Sequence, residues 1–348
     1  MANLRANSIT GIGSTDAGIV FDGVTKINTQ NYFYLPTGNT ENRGRGRGVI
    51  GGGESPISPN FSNSIDYIQI QTQGIASDFG DLTQAKRFAV SCSSSTRGVF
   101  GGGNGPSNTN VIEYITISST SNSTDFGDLI SPTSRGSSCS SSTRGLFGGG
   151  YAPAQPTLSN AIDYITIAST GNSNDFGDLT VARFGPGAFA SPTRGVFFGG
   201  SISPGLYTNT IEYVTIASIG NSLDFGDILV AAIREVCGCS NSIRGIYGSG
   251  YIISTPTLIL SNVLEYITIA STGNGIDFGD LTSGKVEVYG STSNSIRGVW
   301  GGGQTPGLIN SIDYVTIAST GNAQDFGDLT SARNGAGGCS DSHGGIEG

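Results

Sequence analysis

The chain has 348 residues, a formal charge of −9, a single histidine, five cysteines and only 12% charged residues. That balance leaves no basic stripe for nucleic acid and too few cysteines for a disulfide scaffold. No apolar stretch is long enough to cross a membrane, and the amino terminus turns polar by its third residue, so neither membrane insertion nor a signal peptide is expected.

Residues 1–45 come first. Ile9-Thr-Gly-Ile-Gly-Ser, Ile19-Val-Phe-Asp-Gly and Tyr32-Phe-Tyr-Leu-Pro36 read as short strands with turns, too few to form a core alone. They lie outside the repeats that follow.

From residue 46 onward one line recurs six times. Asp-Phe-Gly-Asp begins at Asp78, Asp125, Asp175, Asp224, Asp277 and Asp325, at intervals of 47, 50, 49, 53 and 48 residues. A fixed period of this length marks a supersecondary unit that buries its apolar face only against its neighbours. Gly 56 in 348 residues would otherwise signal low complexity, but these glycines recur in register with apolar segments.

Each copy holds four short strand-like segments. Phe88-Ala-Val-Ser-Cys-Ser93 is the first and Arg97-Gly-Val-Phe-Gly-Gly-Gly103 the second. Val111-Ile-Glu-Tyr-Ile-Thr-Ile117 alternates with period two and is rich in β-branched residues. Phe126-Gly-Asp-Leu129 is the fourth. Ser-Thr-Arg-Gly and Ser-Thr-Gly-Asn turns separate them, and helical periodicity is absent. Four strands per unit, six units, predicts an all-β, six-bladed β-propeller over 46–348. The second-strand segment at Gly46 precedes any first strand, and Gly335-Ala-Gly-Gly-Cys-Ser340 is a first strand with no blade after it. The two ends are expected to share one blade, which removes the open edges of a linear array.

The repeat resembles the kelch motif: Gly149-Gly150, Tyr164, Phe176 and Arg183 fall in kelch order. Phe126 and its equivalents stand where that motif has tryptophan, and Trp300 lies in a different strand. Ser134-Arg135 and Lys285 stand where the usual copy has Ala-Arg. Residues 1–45 and the Asp-Phe-Gly-Asp-Leu-Thr repeats also resemble structural proteins of marine tailed phages, including cyanophages. That resemblance implies a virion protein, made in the host cytoplasm and displayed on the particle surface. It further implies that residues 1–45 form an anchoring and assembly arm that docks to other virion proteins, and that the chain forms homo-oligomers in the assembly.

Strands alternate in direction, so turns between first and second strands share a face with those between third and fourth. On that face the copies are nearly identical, which points to architecture. On the other face they diverge, and recognition usually lives on variable loops held by a rigid scaffold. There Phe61, Tyr151, Tyr207 and Tyr251 offer aromatic platforms beside Asn104, Asn108, Gln155 and Gln304. Aromatic faces stack on sugar rings and amides read their oxygens, so host-surface glycan or receptor binding is expected here, with contact to neighbouring subunits as the alternative.

Eighteen of the 26 acidic residues belong to the repeat: the paired aspartates and the acids before tyrosine at Asp66, Glu113, Asp163, Glu212, Glu265 and Asp313. Repetition in every copy favours turns and internal ion pairs over a ring of ligand-binding charges. The two carboxylates of Asp-x-x-Asp fall short of calcium's oxygen count. Cys92, Cys139, Cys237, Cys239 and Cys339 read as small buried residues on inner strands. His343 alone cannot make the two-histidine cluster of kelch-type copper oxidases, and one tryptophan excludes the boxes of sialidase-type propellers. Asp341 and Glu347 remain as carboxylates outside the repeat. A noncatalytic protein without metal or cofactor is expected.

Overall fold

The computed structural model describes residues 46–56, 60–152, 157–229, 233–254 and 257–346; the arm expected over 1–45 lies outside them. Among the described residues there is no helix, and the strands pair antiparallel throughout. Six four-stranded sheets carry the repeat, an arrangement consistent with a β-propeller. One runs Val90–Ser93, Arg97–Gly101, Val111–Thr116, Thr124–Asp128 from its inner to its outer edge. Four others begin with the inner strands Ser137–Ser140, Gly187–Ala190, Cys237–Ser240 and Gly290–Ser293. In the sixth, Gly337–Ser340 is the inner strand beside Arg47–Gly51, with Val49 opposite Cys339.

Inner strands start two residues later than the sequence predicts. Phe88 and Gly335 adopt φ of 56° and 61°, a left-handed turn that breaks extension before Val90 and Gly337.

No sheet has a core of its own. Val49, Ile65, Phe79 and Leu82 of one sheet pack on Phe100, Ile115 and Ile117 of the next. The same pattern repeats along the chain, and Val299, Ile312, Phe326 and Leu329 of the last sheet pack on Ile50, Ile68 and Ile70 of the first. The inner strands likewise touch in order, with Gly337–Ser340 against both Gly290–Ser293 and Val90–Ser93. Serine hydroxyls tie them: Ser140 donates to Ser93 O (2.8 Å), Ser93 to Ser340 O (2.6 Å), Ser340 to Ser293 O (2.6 Å) and Ser293 to Ser240 O (2.8 Å).

The arginine that opens each second strand also crosses between sheets. Its guanidinium lies 4.3–4.7 Å from the ring centroid of its own sheet's tyrosine, as Arg97 does over Tyr114. It then donates to a carbonyl just past the third strand of the following sheet, Arg97 to Ile167 (3.0 Å) and Arg297 to Ile70 (3.1 Å). Each tyrosine meets the phenylalanine of Asp-Phe-Gly-Asp edge to face, with centroids 5.9–6.1 Å apart.

The aspartates of that line, expected to serve turns and internal ion pairs, form no ion pair among the described residues. What the line contributes is a buried phenylalanine and a glycine. Gly177 has φ of 143°, and a Cβ there would stand 2.6 Å from the backbone of Gly220 in the next sheet's turn. That close approach lets Gly220 N–H reach Phe176 O (2.8 Å), and Asn221 accepts from Asp178 N–H (3.0 Å). Gly177→Ala is expected to lower stability by at least about 2 kcal/mol in urea unfolding, since backbone strain and backbone overlap combine. Gly307→Ala, whose Cβ meets nothing within 4 Å, should stay within about 0.5 kcal/mol of wild type.

Candidate ligand-binding face

Around the axis on the divergent face, each inner strand is preceded by a residue in left-handed conformation: Phe88, Arg135, Gly185, Glu235, Glu287 and Gly335, with φ between 56° and 64°. Their backbones link from sheet to sheet. Phe88 N–H donates to Gly335 O (2.7 Å), Gly185 N–H to Arg135 O (2.7 Å) and Glu235 N–H to Gly185 O (2.7 Å). Glycine is the low-cost residue for this conformation. Four of the six positions instead hold a large side chain, and all four converge at the axis.

There Arg135 bridges Glu235 and Glu287 and lies 4.0 Å from the centroid of Phe88. Arg87 pairs with Glu54 and stands 4.8 Å from the same ring. Arg234 differs: it forms no ion pair among the described residues. Its guanidinium rests against Tyr251 (4.9 Å), Tyr207 (5.4 Å) and Phe184 (5.7 Å), and its buried Nε has no hydrogen-bond partner among those residues. Above this floor opens a cavity of about 340 Å³ whose walls include Arg87, Arg135, Arg234, Asn104, Asn108 and Tyr151.

The expected loop residues mostly gather here. Asn104 Nδ2 donates to Asn108 Oδ1 (2.7 Å), and Asn108 Nδ2 to Tyr151 O (2.9 Å), while the Tyr151 ring stays exposed. Phe61 flanks Arg87 at 5.6 Å. Gln304 accepts from Asn334 Nδ2 (3.3 Å), which also donates to Glu287. Tyr207 departs from the expectation of an open platform: it is buried, held between its hairpin and Arg234. Gln155 lies outside the described residues, as does Glu347. The sequence reading missed Arg87, Arg234, Glu54, Glu235 and Glu287. For Glu235 and Glu287 the available signal was a bulky residue at a position where Gly185 and Gly335 show that glycine fits.

The opposite end of the axis offers little room. Between the inner strands lies a space of about 60 Å³ walled by serines and cysteines. His343 closes it, with Nε2 3.1 Å from Ser93 O and 3.2 Å from Ser140 Oγ. Burial drives its pKa down to about 4, so it is neutral at physiological pH. The cysteines are buried thiols, and burial pushes Cys139 and Cys339 up to about 12. Asp341, the other carboxylate near this end, accepts from the N–H groups of Gly46 (2.7 Å) and Arg47 (3.1 Å).

No protein-family model matches the sequence, and no curated protein matches it either. Among solved structures the chain is similar to that of YjhT, with a TM-score of 0.58 and 12% identity over 73% of this chain and 93% of that one. At that identity the likeness concerns the fold alone.

Burial first, and Glu235 second, push the Glu287 carboxyl up to about 7 against the pull of Arg135. A carboxyl whose folded pKa is raised binds its proton more tightly in the fold. Its contribution to stability is therefore full below the unfolded value of about 4.3 and is lost as pH rises through about 7. Between pH 5 and 8, wild type should lose about 2–3 kcal/mol more than Glu287→Gln in urea unfolding. Parallel pH profiles would remove Glu287 as the titrating group.

Proposed function

We propose that the chain is a noncatalytic, virion-associated adhesion protein. In this reading the six sheets are blades of a closed, kelch-like propeller, residues 1–45 dock it to other virion proteins, and the divergent face binds a host-surface glycan. The observation that carries the glycan reading is the cavity at Arg234. Arg234, which forms no ion pair among the described residues, lies on a bed of aromatic rings, beside the amides of Asn104 and Asn108 and the exposed Tyr151. Sugars are bound by such combinations of ring faces and fixed hydrogen-bond donors, and the cavity's size suits one or two sugar rings. The noncatalytic reading is supported by the local carboxylates Glu54 and Glu235, which are committed to arginines. The virion assignment rests on the resemblance of residues 1–45 and of the repeats to phage structural proteins.

A second reading, a structural decoration or filament subunit, draws support from the uniform face. Ile75, Ile219, Ile243 and Ile296 in its turns, and Leu223 and Ile276 at the start of fourth strands, are all exposed, by 52–75%. Such apolar turns suit contact with neighbouring subunits.

On an array of host-surface polysaccharides the intact chain should bind a restricted set, and Arg234→Ala should weaken that binding at least about tenfold, the loss of a charge-assisted contact. Binding to no polysaccharide, together with ordered self-assembly, would select the second reading. Closure is tested separately. Removing residues 335–348 takes away the inner strand that pairs with Arg47–Gly51, and the shortened chain should melt at least about 5 °C lower and aggregate, because an inner sheet edge is opened. An unchanged melting temperature would refute the latch.

A further inference from the structure

The acid before each tyrosine follows one rule with one exception. In four sheets it pairs with a buried cation from the loop that enters the sheet: Lys86 with Glu113 (2.6 Å), Arg183 with Glu212, Lys285 with Asp313 (3.0 Å) and Arg333 with Asp66. Equivalence of these positions is fixed by the backbone. The carbonyls of Lys86, Thr133, Arg183, Ile233, Lys285 and Arg333 accept the N–H of Gly53, Gly103, Gly150, Gly200, Gly250 and Gly303 in turn. Two sheets therefore lack the cation, and they differ. Where Ile233 replaces it, the second strand carries Tyr247 in place of phenylalanine, and its hydroxyl donates to Glu265 (2.8 Å). Where Thr133 replaces it, the second strand keeps Phe147, which has no polar atom to offer Asp163.

Asp163 retains the rest of the arrangement. Its Oδ2 accepts from Ile130 N–H (3.0 Å) and Ser173 Oγ (2.8 Å), just as Glu212 Oε2 accepts from Thr180 N–H (2.8 Å) and Ser222 Oγ (2.5 Å). Glu212 Oε1 takes the Arg183 guanidinium; Asp163 Oδ1 has no hydrogen bond among the described residues. Thr133 spends its short hydroxyl on Ser131 O (3.0 Å). Beside it opens a cavity of about 550 Å³, reaching Asp163 and walled by Leu129, Phe147 and Leu158, with exposed Ile130 and Asp175 at its rim. Other acceptors that grip arginine elsewhere are present too. Arg183 donates to Gly199 O (3.0 Å) and Arg333 to Ser64 O (3.0 Å), and the corresponding Gly149 and Ala161 line the cavity.

We propose that this cavity binds a small organic cation, a guanidinium or primary ammonium on a short apolar stem, whose head occupies the place that Arg183 holds against Glu212 in the following sheet. The volume exceeds a bare head group and falls in the range of small-molecule sites, so the stem lies along Leu129, Phe147 and Leu158. A carboxylate with an unused oxygen in a partly apolar pocket favours a cation over a neutral ligand. With four positions filled by cations and a fifth by Tyr247, the site is single among the described sheets; it adjoins the cavity at Arg234, with Phe88 lining both, but Asp163 and Thr133 line only this one.

Isothermal titration of the full chain with n-butylguanidinium should show one saturable site, with n-butylurea, its uncharged analogue, at least about tenfold weaker. Asp163→Asn should weaken butylguanidinium by a similar factor. Thr133→Arg supplies the guanidinium from the chain itself, so it should abolish binding and raise the melting temperature without ligand. If Asp163→Asn fails to fold, Thr133→Arg still decides. No saturation by folded wild type at millimolar concentrations, equal binding of butylurea, or binding undiminished in Thr133→Arg would each overturn the proposal.

Discussion

The constraint on which this structure depends is that a four-stranded sheet of about twenty residues cannot bury both of its faces by itself. Each face must be covered by the next sheet, and the repeat consists of devices that bring two sheets together. Phe176 fills the interface, Gly177 lets the neighbouring turn approach to backbone contact, and Arg144 spans from Tyr164 to Ile216 O. Buried apolar area supplies most of the free energy of such contacts. The polar bridges fix the angle and register at which the faces meet. Because every sheet depends on its neighbours, a defect in one interface is felt by two sheets.

That dependence explains which parts of the fold were legible in the sequence. Val111–Thr116 was recognisable from its period-two sequence and β-branched residues, although its burial does not follow that period: adjacent Ile112 and Glu113 are both buried, across a β-bulge. Gly337–Ser340 could be assigned to Arg47–Gly51 because each was an unpartnered copy of a repeated element. The start of the inner strand was misread at Phe88 because an aromatic residue beside valine suggests extension, whereas the ring of left-handed turns imposes φ of 56°. The aspartates were read as serving turns and internal ion pairs, and among the described residues they form no ion pair. Their line recurs for its phenylalanine and glycine, and only the distance from Gly177 to Gly220 reveals that.

The divergent face was legible in part for a similar reason. Loops that differ among copies pointed to Asn104, Asn108 and Tyr151, and these meet in one cavity. The charged centre was hidden. Arg135, Glu235 and Glu287 sit at one structural position, yet they come from copies whose local sequences differ in length and composition, so no motif joins them. Likewise Asp163 looked like one of six equivalent acids. Its distinction lies in what Thr133 fails to supply, and a missing partner is invisible until the equivalent positions are superposed in space.

The pairing of Gly337–Ser340 with Arg47–Gly51 also has a consequence in time. The two strands are separated by some 290 residues of chain, which at about 5–20 residues per second takes a ribosome roughly 15–60 s to synthesise. Throughout that interval the first sheet has three of its strands and an open inner edge, and the interface between the last sheet and the first cannot form. The other five sheets draw their strands from contiguous sequence, so each can assemble as it emerges and pack on its predecessor. Folding is thus ordered by synthesis for most of the molecule, while the first sheet is completed only once Gly337–Ser340 has been made and reaches Arg47–Gly51.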